Sequence, residues 1–159
     1  MSGVKFQLTC SIKRDDTNCL VFFKQDGQRF DTEKTIKMKV QTPYKFVLTF
    51  KPPQTIKSAS LKGEDLEMTG EESTSLHSRY SLKWVSTNIP VTKKNRRLNF
   101  TLIMEVQNMG VIQLPFQFKF YRAEDTTHST WGRSLNYIDY DCVYKDGQSF
   151  IEITKELFR

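Results

Sequence analysis

The sequence is poor in the residues that build catalytic and metal sites. Its 159 residues include two histidines, His77 and His128, and three cysteines, none of them in a Cys-x-x-Cys spacing. A zinc site needs several such ligands close together. The chain also lacks a glycine-rich phosphate loop, a nucleophile elbow and an ordered catalytic triad. We therefore expect no metal, no cofactor and no enzymatic activity.

Long apolar runs are absent as well. No stretch approaches the roughly 20 apolar residues that span a bilayer, and the N-terminus has no apolar signal region. The odd set of cysteines, Cys10, Cys19 and Cys142, does not indicate a disulfide framework. These features predict a cytoplasmic protein with three free thiols.

Charge of one sign is in excess. The chain has 24 lysines and arginines against 18 aspartates and glutamates, which gives a net charge of +6. Such a surplus favours acidic partners, among them acidic or phosphorylated peptides, anionic lipids and nucleic acid. Nucleic acid is disfavoured because the strand aromatics share the buried parity, whereas a base-stacking platform needs them exposed.

The clearest pattern in the chain is a strand-like run at residues 112–121, which reads IQLPFQFKFY. Ile112, Leu114 and three phenylalanines occupy alternate positions, so a strand would bury them on one face. Pro115 has the opposite parity and no N–H to donate, which predicts a bulge or a sheet edge there. We interpret the phenylalanine wall as core. The alternative is that some rings line a cavity between two sheets, open to an apolar guest.

Similar alternation elsewhere predicts about ten short strands separated by turn residues. Asp26-Gly27 and Asp146-Gly147 are strong signals for two-residue hairpins, while residues 155–159 are typical of a frayed turn. No segment has the helical period. The expected fold is all-β, an antiparallel immunoglobulin-like sandwich or flattened β-barrel, in a single domain that spans residues 1–159.

Two basic features and several amphipathic rings are candidates for binding. Residues 93–97 hold four cations, which form either a solvated loop or an electrostatic landing strip for an acidic peptide or a membrane. The strands that carry Lys37 and Lys45 either block edge-to-edge aggregation or accept an extended peptide as an added strand. Trp131 lies in a polar segment, and large amphipathic rings are favoured as interface anchors.

A set of segments spread along the chain carries a family signature. In order, they are residues 21–30 (VFFKQDGQRF), 35–37, 44–45, 119–121, 131–132, 138–142 (IDYDC) and 155–156. Together they resemble the cannabinoid receptor-interacting protein 1 family, over nearly the whole chain. Residues 52–110 fit less well, and Lys94, Arg96 and Arg97 make the 93–97 loop more basic than that of the family. The chain thus resembles a divergent member.

The resemblance implies a cytoplasmic, non-enzymatic protein that binds the distal C-terminal tail of the type 1 cannabinoid receptor. In that family, binding damps constitutive signalling and affects internalisation and G-protein coupling. The resemblance also implies a flattened antiparallel β-barrel similar to the immunoglobulin-like domain of Rho GDP-dissociation inhibitors. Those relatives hold a lipid between their sheets.

Two hypotheses of function follow. In the first, the protein is an adaptor that binds the cytoplasmic tail of a G-protein-coupled receptor through main-chain pairing and basic side chains. The residues expected at this peptide site are Tyr80, Lys83, Lys119, Tyr121, Trp131, Lys93, Lys94, Arg96 and Arg97. In the second, it carries a lipidated partner, such as a myristoylated G-protein subunit, and meets the membrane only through that partner. The lipid would contact Phe100, Leu102, Phe116, Phe118 and Phe120.

Overall fold

Alternating apolar and polar side chains build strands along the chain, and the strands form two layers. The computed structural model describes residues 3–27, 29–30 and 32–159. The strands are Gly3–Arg14 (β1), Phe22–Gln25 (β2), Lys34–Lys39 (β3), Pro43–Lys51 (β4), Ile56–Leu61 (β5), Glu64–Asp65 (β6), Glu67–Ser73 (β7), Ser78–Val85 (β8), Leu98–Val106 (β9), Gly110–Tyr121 (β10), Arg133–Ser134 (β11), Ile138–Lys145 (β12) and Glu152–Phe158 (β13).

The strands are divided between two sheets whose apolar faces enclose one core cluster. Sheet A has the strand order β13-β12-β1-β4-β8-β7, and sheet B has the order β11-β2-β3-β10-β9-β5-β6. Neighbouring strands in the described part of the chain pair antiparallel, except β3 and β10, which run parallel. The predicted all-β sandwich is confirmed, as two open sheets rather than a closed barrel.

The only helical segment in the described residues is a 3-10 turn, His128–Thr130, between β10 and β11. Among the residues placed by the structure, no helix has the length and apolar character needed to cross a membrane.

The inward face of strand β10 is the one expected of residues 112–121, but Gln117 on the opposite face is buried against Thr35 and not solvated. The inward side chains are at most 2% exposed: Ile112, Leu114, Phe116, Phe118 and Phe120. Pro115 is opposite Thr101 of β9, and pairing with β3 begins at Phe118. Pro115 therefore lies where β10 is a sheet edge, which is the second of the two predicted alternatives and requires no bulge.

Aromatic rings join the two sheets across the core. Phe46 of β4 meets Phe116 of β10 with the ring centroids 5.8 Å apart. Trp84 of β8 meets Phe100 and Phe120 of sheet B, with centroid distances of 6.1 and 6.3 Å. Rings at these separations attract each other beyond the effect of burial alone. The sheets are thus in contact along this part of the interior.

The β2–β3 hairpin differs from the prediction. Gln25 is the last residue of β2 to pair, and its partner is Lys34. The connection is therefore longer than the two-residue turn expected at Asp26-Gly27. Asp26 does not form a tight turn because its carboxylate is buried in an ion pair with Arg97.

The C-terminal segment also differs from the prediction. Glu152–Phe158 forms β13 at the edge of sheet A, where a frayed turn was expected at residues 155–159. Ile153 and Phe158 pack against the core, and this burial holds the strand in place.

The connection at Asp146-Gly147 is also longer than the predicted two-residue hairpin, because β12 ends at Lys145 and β13 begins at Glu152, which pairs with Val143. Gly147 has the positive φ of +87° that favours glycine.

Candidate peptide-binding site

The residues predicted for the peptide site fall on both sheets. Lys119 and Tyr121 lie on β10 in sheet B, and Trp131 follows the 3-10 turn. Tyr80 and Lys83 lie on β8 in sheet A. The fold thus divides the predicted site into a sheet B group and a sheet A group.

Two lysines contact the ring of Tyr121 on the outer side of sheet B. Lys37 and Lys119 are partners in the parallel β3–β10 register. Their ammonium nitrogens lie 5.9 and 5.7 Å from the centroid of the Tyr121 ring, within the range of a cation–π contact. Lys37 is only 7% exposed, and its Nζ donates a hydrogen bond to His128 O at 2.9 Å. A nearly buried ammonium is unfavourable unless an anion or several acceptors meet it.

Further positive charges crowd these two lysines. The β2–β3 register puts Lys24 opposite Thr35. Thr35 is two residues before Lys37 on β3, so Lys24 and Lys37 lie on the same face of the sheet. Burial lowers the pKa of Lys37 and of Lys119, and the charges of Lys24 and Arg97 lower both further. We call the set Lys24, Lys37, Lys119 and Tyr121 the basic face of sheet B. Because its cations repel one another, the arrangement favours a bound anion.

The connection after β10 lies against the basic face. Asp125 Oδ1 accepts hydrogen bonds from the amides of Thr127 and Ser129 at 3.1 and 2.9 Å. Burial opposes the ionisation of Asp125, but these hydrogen bonds outweigh burial and lower its pKa. The turn holds the carbonyl of His128 beside Lys37, and the His128 ring is 5.0 Å from that of Trp131. Trp131 is 59% exposed, so an exposed aromatic ring adjoins the cations.

Arg97 was expected to steer an acidic peptide, but the structure buries it in an ion pair. Its Nη2 lies 3.1 Å from Asp26 Oδ1 and its Nε lies 3.3 Å from Oδ2, with the two side chains 5% and 3% exposed. Thr35 donates to Asp26 Oδ2, and Gln117 Nε2 donates to Thr35 Oγ1 at 2.7 Å. This Asp26 cluster (Asp26, Thr35, Arg97 and Gln117) fixes the start of the β2–β3 connection on sheet B. The guanidinium of Arg97 is therefore not a surface charge.

The other cations of the 93–97 loop are at the surface. Lys93, Lys94 and Arg96 are exposed, and the amide of Arg96 donates to Lys93 O at 3.0 Å to close a turn. Lys94 is one of the charges that lower the pKa of Lys119. The exposed part of the loop thus extends the positive potential of the basic face.

Tyr80 has the surroundings of a core residue. It faces inward from β8, and its ring is edge-on to that of Phe50 with the centroids 6.2 Å apart. Its hydroxyl donates to Gln54 O at 3.2 Å and accepts from the amide of Ile56 at 3.4 Å. These contacts tie β8 to the start of β5 and leave Tyr80 apart from Tyr121 and Trp131.

Lys83 belongs to a second row of cations, on the outer side of sheet A. Lys13, Lys45 and Lys83 are opposite one another on β1, β4 and β8. Lys83 Nζ lies 3.9 Å from Asp15 Oδ2, and the Lys83 side chain is 49% exposed. Like charges in register are mildly unfavourable, and solvent screens them at an open surface. The two sheets therefore present two basic surfaces of different character.

The residues expected to line a lipid cavity lie in the core. Phe118 meets Phe100, Phe116 and Phe120 with ring centroids 5.7, 5.5 and 5.7 Å apart. Leu102 is fully buried beside them. Contacts between these rings, and from them to Phe46 and Trp84, occupy the space between the sheets at this position.

The histidines and cysteines do not come together. His77 pairs with Glu72, and His128 with Asp125. Burial raises the pKa of Cys10 and of Cys142 to about 12, as expected of thiols in an apolar core. Residues 3–27, 29–30 and 32–159 contain no group of three His, Cys, Asp or Glu side chains that could hold a metal ion.

Lys24 is the member of the basic face that the sequence did not point to. The signal was present in the alternation of β2, since Lys24 shares a parity with Phe22, and Phe22 pairs with Lys37. To place Lys24 beside Lys37 from this alternation, the register of the β2–β3 hairpin must be known. A two-residue turn at Asp26-Gly27 predicts a different register from the one observed.

The fold and the site define a two-sheet β-sandwich with a basic, aromatic surface on one sheet. Residues 3–158 match the family model for CB1 cannabinoid receptor-interacting protein 1, and the chain belongs to this family. The match confirms the resemblance found in the sequence.

Curated relatives agree with this assignment. The chain is 28% identical to the CB1 cannabinoid receptor-interacting protein 1 of Mus musculus over 155 residues, which cover 96% of this chain and 94% of the relative. It is 26% identical to the protein of the same name from Homo sapiens, with the same coverage of 96% and 94%.

Proposed function

We propose that this protein is a cytoplasmic adaptor that binds the C-terminal tail of a G-protein-coupled receptor of the cannabinoid type and modulates its signalling. The name of its relatives describes interaction with the CB1 cannabinoid receptor. Coverage of nearly the whole of each relative supports carrying a receptor-binding role over to this chain. The basic face of sheet B is the surface we assign to the tail.

One observation carries this assignment. Lys37 and Lys119 are partly or nearly buried, both contact the ring of Tyr121, and have their pKa lowered by burial and by neighbouring cations. An acidic peptide side chain placed between them would relieve the repulsion and meet charge-assisted hydrogen-bond donors. The row on sheet A includes the exposed Lys83, and none of its three lysines contacts an aromatic ring in the described part of the chain, so it offers a weaker site.

The neighbouring residues suit a peptide partner. Trp131 provides an exposed ring beside the cations, and rings of this kind are frequent interface anchors. Lys93, Lys94 and Arg96 would steer an acidic tail towards the face, with an effect that weakens with salt. Arg97, Tyr80 and Lys83 are not part of this proposal.

The experiment is a titration of fluorescent receptor-tail peptide against matched variants at two salt concentrations. Lys119→Gln removes one charge from the basic face, and we expect an affinity loss of about tenfold, typical of a charge-assisted hydrogen bond. Lys83→Gln removes one charge from sheet A and serves as the control, with an expected change of less than about twofold. A larger effect of Lys83→Gln than of Lys119→Gln would move the site to sheet A.

The same titration tests the lipid-carrier hypothesis. The contact of Phe116, Phe118 and Phe120 with rings of the opposite sheet does not favour an acyl guest. Burial of an acyl chain is worth about 0.8 kcal/mol per CH₂, so a true lipid site would bind a myristoylated G-protein peptide far better than the unmodified one. We expect equal, weak binding of the two forms.

A further inference from the structure

A cavity of about 280 Å³ opens at the corner of the sandwich where residues 15–21 connect β1 to β2. Its apolar wall includes Leu20, Val21, Phe22 and the ring of Tyr44. Val21 and Tyr44 are 5% and 2% exposed, so this wall is firmly packed. The volume falls just below the range of drug-sized ligand pockets, about 300–1,000 Å³, and suits a single amino-acid residue.

The polar groups around this cavity are hydrogen-bond donors. Lys37, Lys39 and Arg14 contribute to its lining. Arg14 is paired with Asp16 at 2.7 Å, but among the described residues no carboxylate forms an ion pair with Lys37 or Lys39. The hydroxyl of Tyr44 accepts from the amide of Lys39 at 2.7 Å, which leaves its O–H free to donate.

An apolar wall beside two lysines that no carboxylate of the described residues neutralises selects a particular chemistry. The ligand must carry an anion within a few bonds of an apolar group. The last residue of a peptide meets this requirement, because its carboxylate and its side chain are attached to the same Cα. An internal aspartate or glutamate does not meet this requirement. Its side chain carries the charge, so the same residue has no apolar side chain to place against the wall. Capture of a C-terminal carboxylate is a known mode of peptide recognition.

We propose that this cavity binds the C-terminal residue of the tail, with its apolar side chain against Leu20 and Phe22 and its carboxylate at Lys37, Lys39 and the Tyr44 hydroxyl. The inference rests on the proposed function and adds a determinant to it, the free carboxylate. Lys37 belongs to both the cavity and the basic face. The bound chain would therefore pass from the basic face to the cavity and end there.

The cavity contains its own chemical reporter. Cys19 lines it and is exposed, whereas Cys10 and Cys142 are buried with their pKa raised to about 12. Maleimide should therefore alkylate Cys19 selectively, and a bound ligand should protect it. The first probes are N-acetyl-leucine and N-acetyl-leucinamide, which differ in the charge at the chain end. We expect saturable protection of Cys19 by the acid and loss of that protection with the amide.

Variants test the donors. Tyr44→Phe keeps the ring and removes the hydroxyl, and Lys39→Gln removes one charge. Each should weaken protection by N-acetyl-leucine, while Tyr137→Phe, at a residue outside the cavity lining, should leave it unchanged. Melting temperatures of the variants identify any change that comes from altered folding. Equal protection in all of them would overturn the proposed donors.

The receptor-tail peptide separates this inference from the proposed function. We expect the peptide with a free carboxylate to bind about tenfold more tightly than its C-terminal amide, the loss expected for charge-assisted contacts. Equal binding of the two forms, without protection of Cys19 by any probe, would overturn the cavity and leave the receptor-tail proposal intact. Protection by N-acetyl-leucine without binding of the tail would support the cavity and reject the assigned partner.

Discussion

The outer faces of the two sheets carry similar lysines in different surroundings. On sheet A, Lys13, Lys45 and Lys83 form an open row, and Lys83 has a long ion pair with Asp15. On sheet B, Lys37 and Lys119 both contact the ring of Tyr121, beside the turn that holds the His128 carbonyl against Lys37. A count of charges treats these surfaces as equal. Burial distinguishes the two surfaces. A solvated lysine gains little free energy by pairing with an anion, whereas a partly desolvated lysine is stabilised by one.

The largest difference between the faces should be in stability. Asp26→Ala would leave the nearly buried Arg97 without its partner, and we expect a loss of about 3–5 kcal/mol in the free energy of unfolding. Asp15→Ala on sheet A removes the partner of an exposed lysine and should cost about 0–1 kcal/mol. Equilibrium urea unfolding measures both, provided that the m-values agree. Similar losses for the two variants would mean that the Asp26 cluster does not stabilise the fold.

Much of the fold could be predicted from the sequence because alternation is a local signal. Parity identified the inward residues of β1, β4 and β10, and they are buried except at the start of β1, where Val4 is 40% exposed. The hairpin at Asp26-Gly27 failed for a non-local reason. Asp26 meets Arg97, which is 71 residues away in the sequence, and this contact decides the path of the connection. No pattern within the hairpin itself contains that information.

The candidate site could be predicted in part, because some of its residues also follow from the local alternation of the strands. Lys119, Tyr121 and Trp131 could be chosen from the strand pattern and the family resemblance. In the structure Lys119 contacts Tyr121, and Trp131 contacts His128, whose carbonyl accepts from Lys37. Tyr80 was chosen as an amphipathic ring, but its parity, shared with Leu82 and Trp84, already indicated the core. Lys24 and Lys37 come close together only because of the β2–β3 register. That register could not be read from the sequence, because the turn at Asp26-Gly27 was predicted wrongly.

A pair of tyrosines provides the next test of the comparison. Tyr80→Phe removes hydrogen bonds to Gln54 and Ile56 and should cost about 1 kcal/mol of stability without changing affinity for the tail. Tyr121→Leu removes the ring that Lys37 and Lys119 both contact and should weaken tail binding about fivefold, with a small effect on stability. Melting curves and the peptide titration measure the two quantities. If Tyr80→Phe weakened tail binding in a stably folded protein, Tyr80 of sheet A would belong to the binding site.

The smallest expected effect is a change in protonation upon binding. Burial and neighbouring cations lower the pKa of Lys37 and Lys119 below 10.5, while Asp125 partly offsets this for Lys37. A bound carboxylate would stabilise the charged ammonium groups and raise both pKa values. The complex would then bind more protons than the free protein, so affinity should fall as the pH rises through the lysine range.

Calorimetry in two alkaline buffers of different ionisation enthalpy should show uptake of a fraction of a proton for each complex formed. Lys119→Gln should reduce this uptake because it removes one of the two titrating groups. Lys83→Gln should leave the uptake unchanged, since that lysine is on the opposite sheet. Uptake that depends on Lys83 would show that the tail binds to the open row of sheet A. Release of protons would contradict binding of a carboxylate at Lys37 and Lys119.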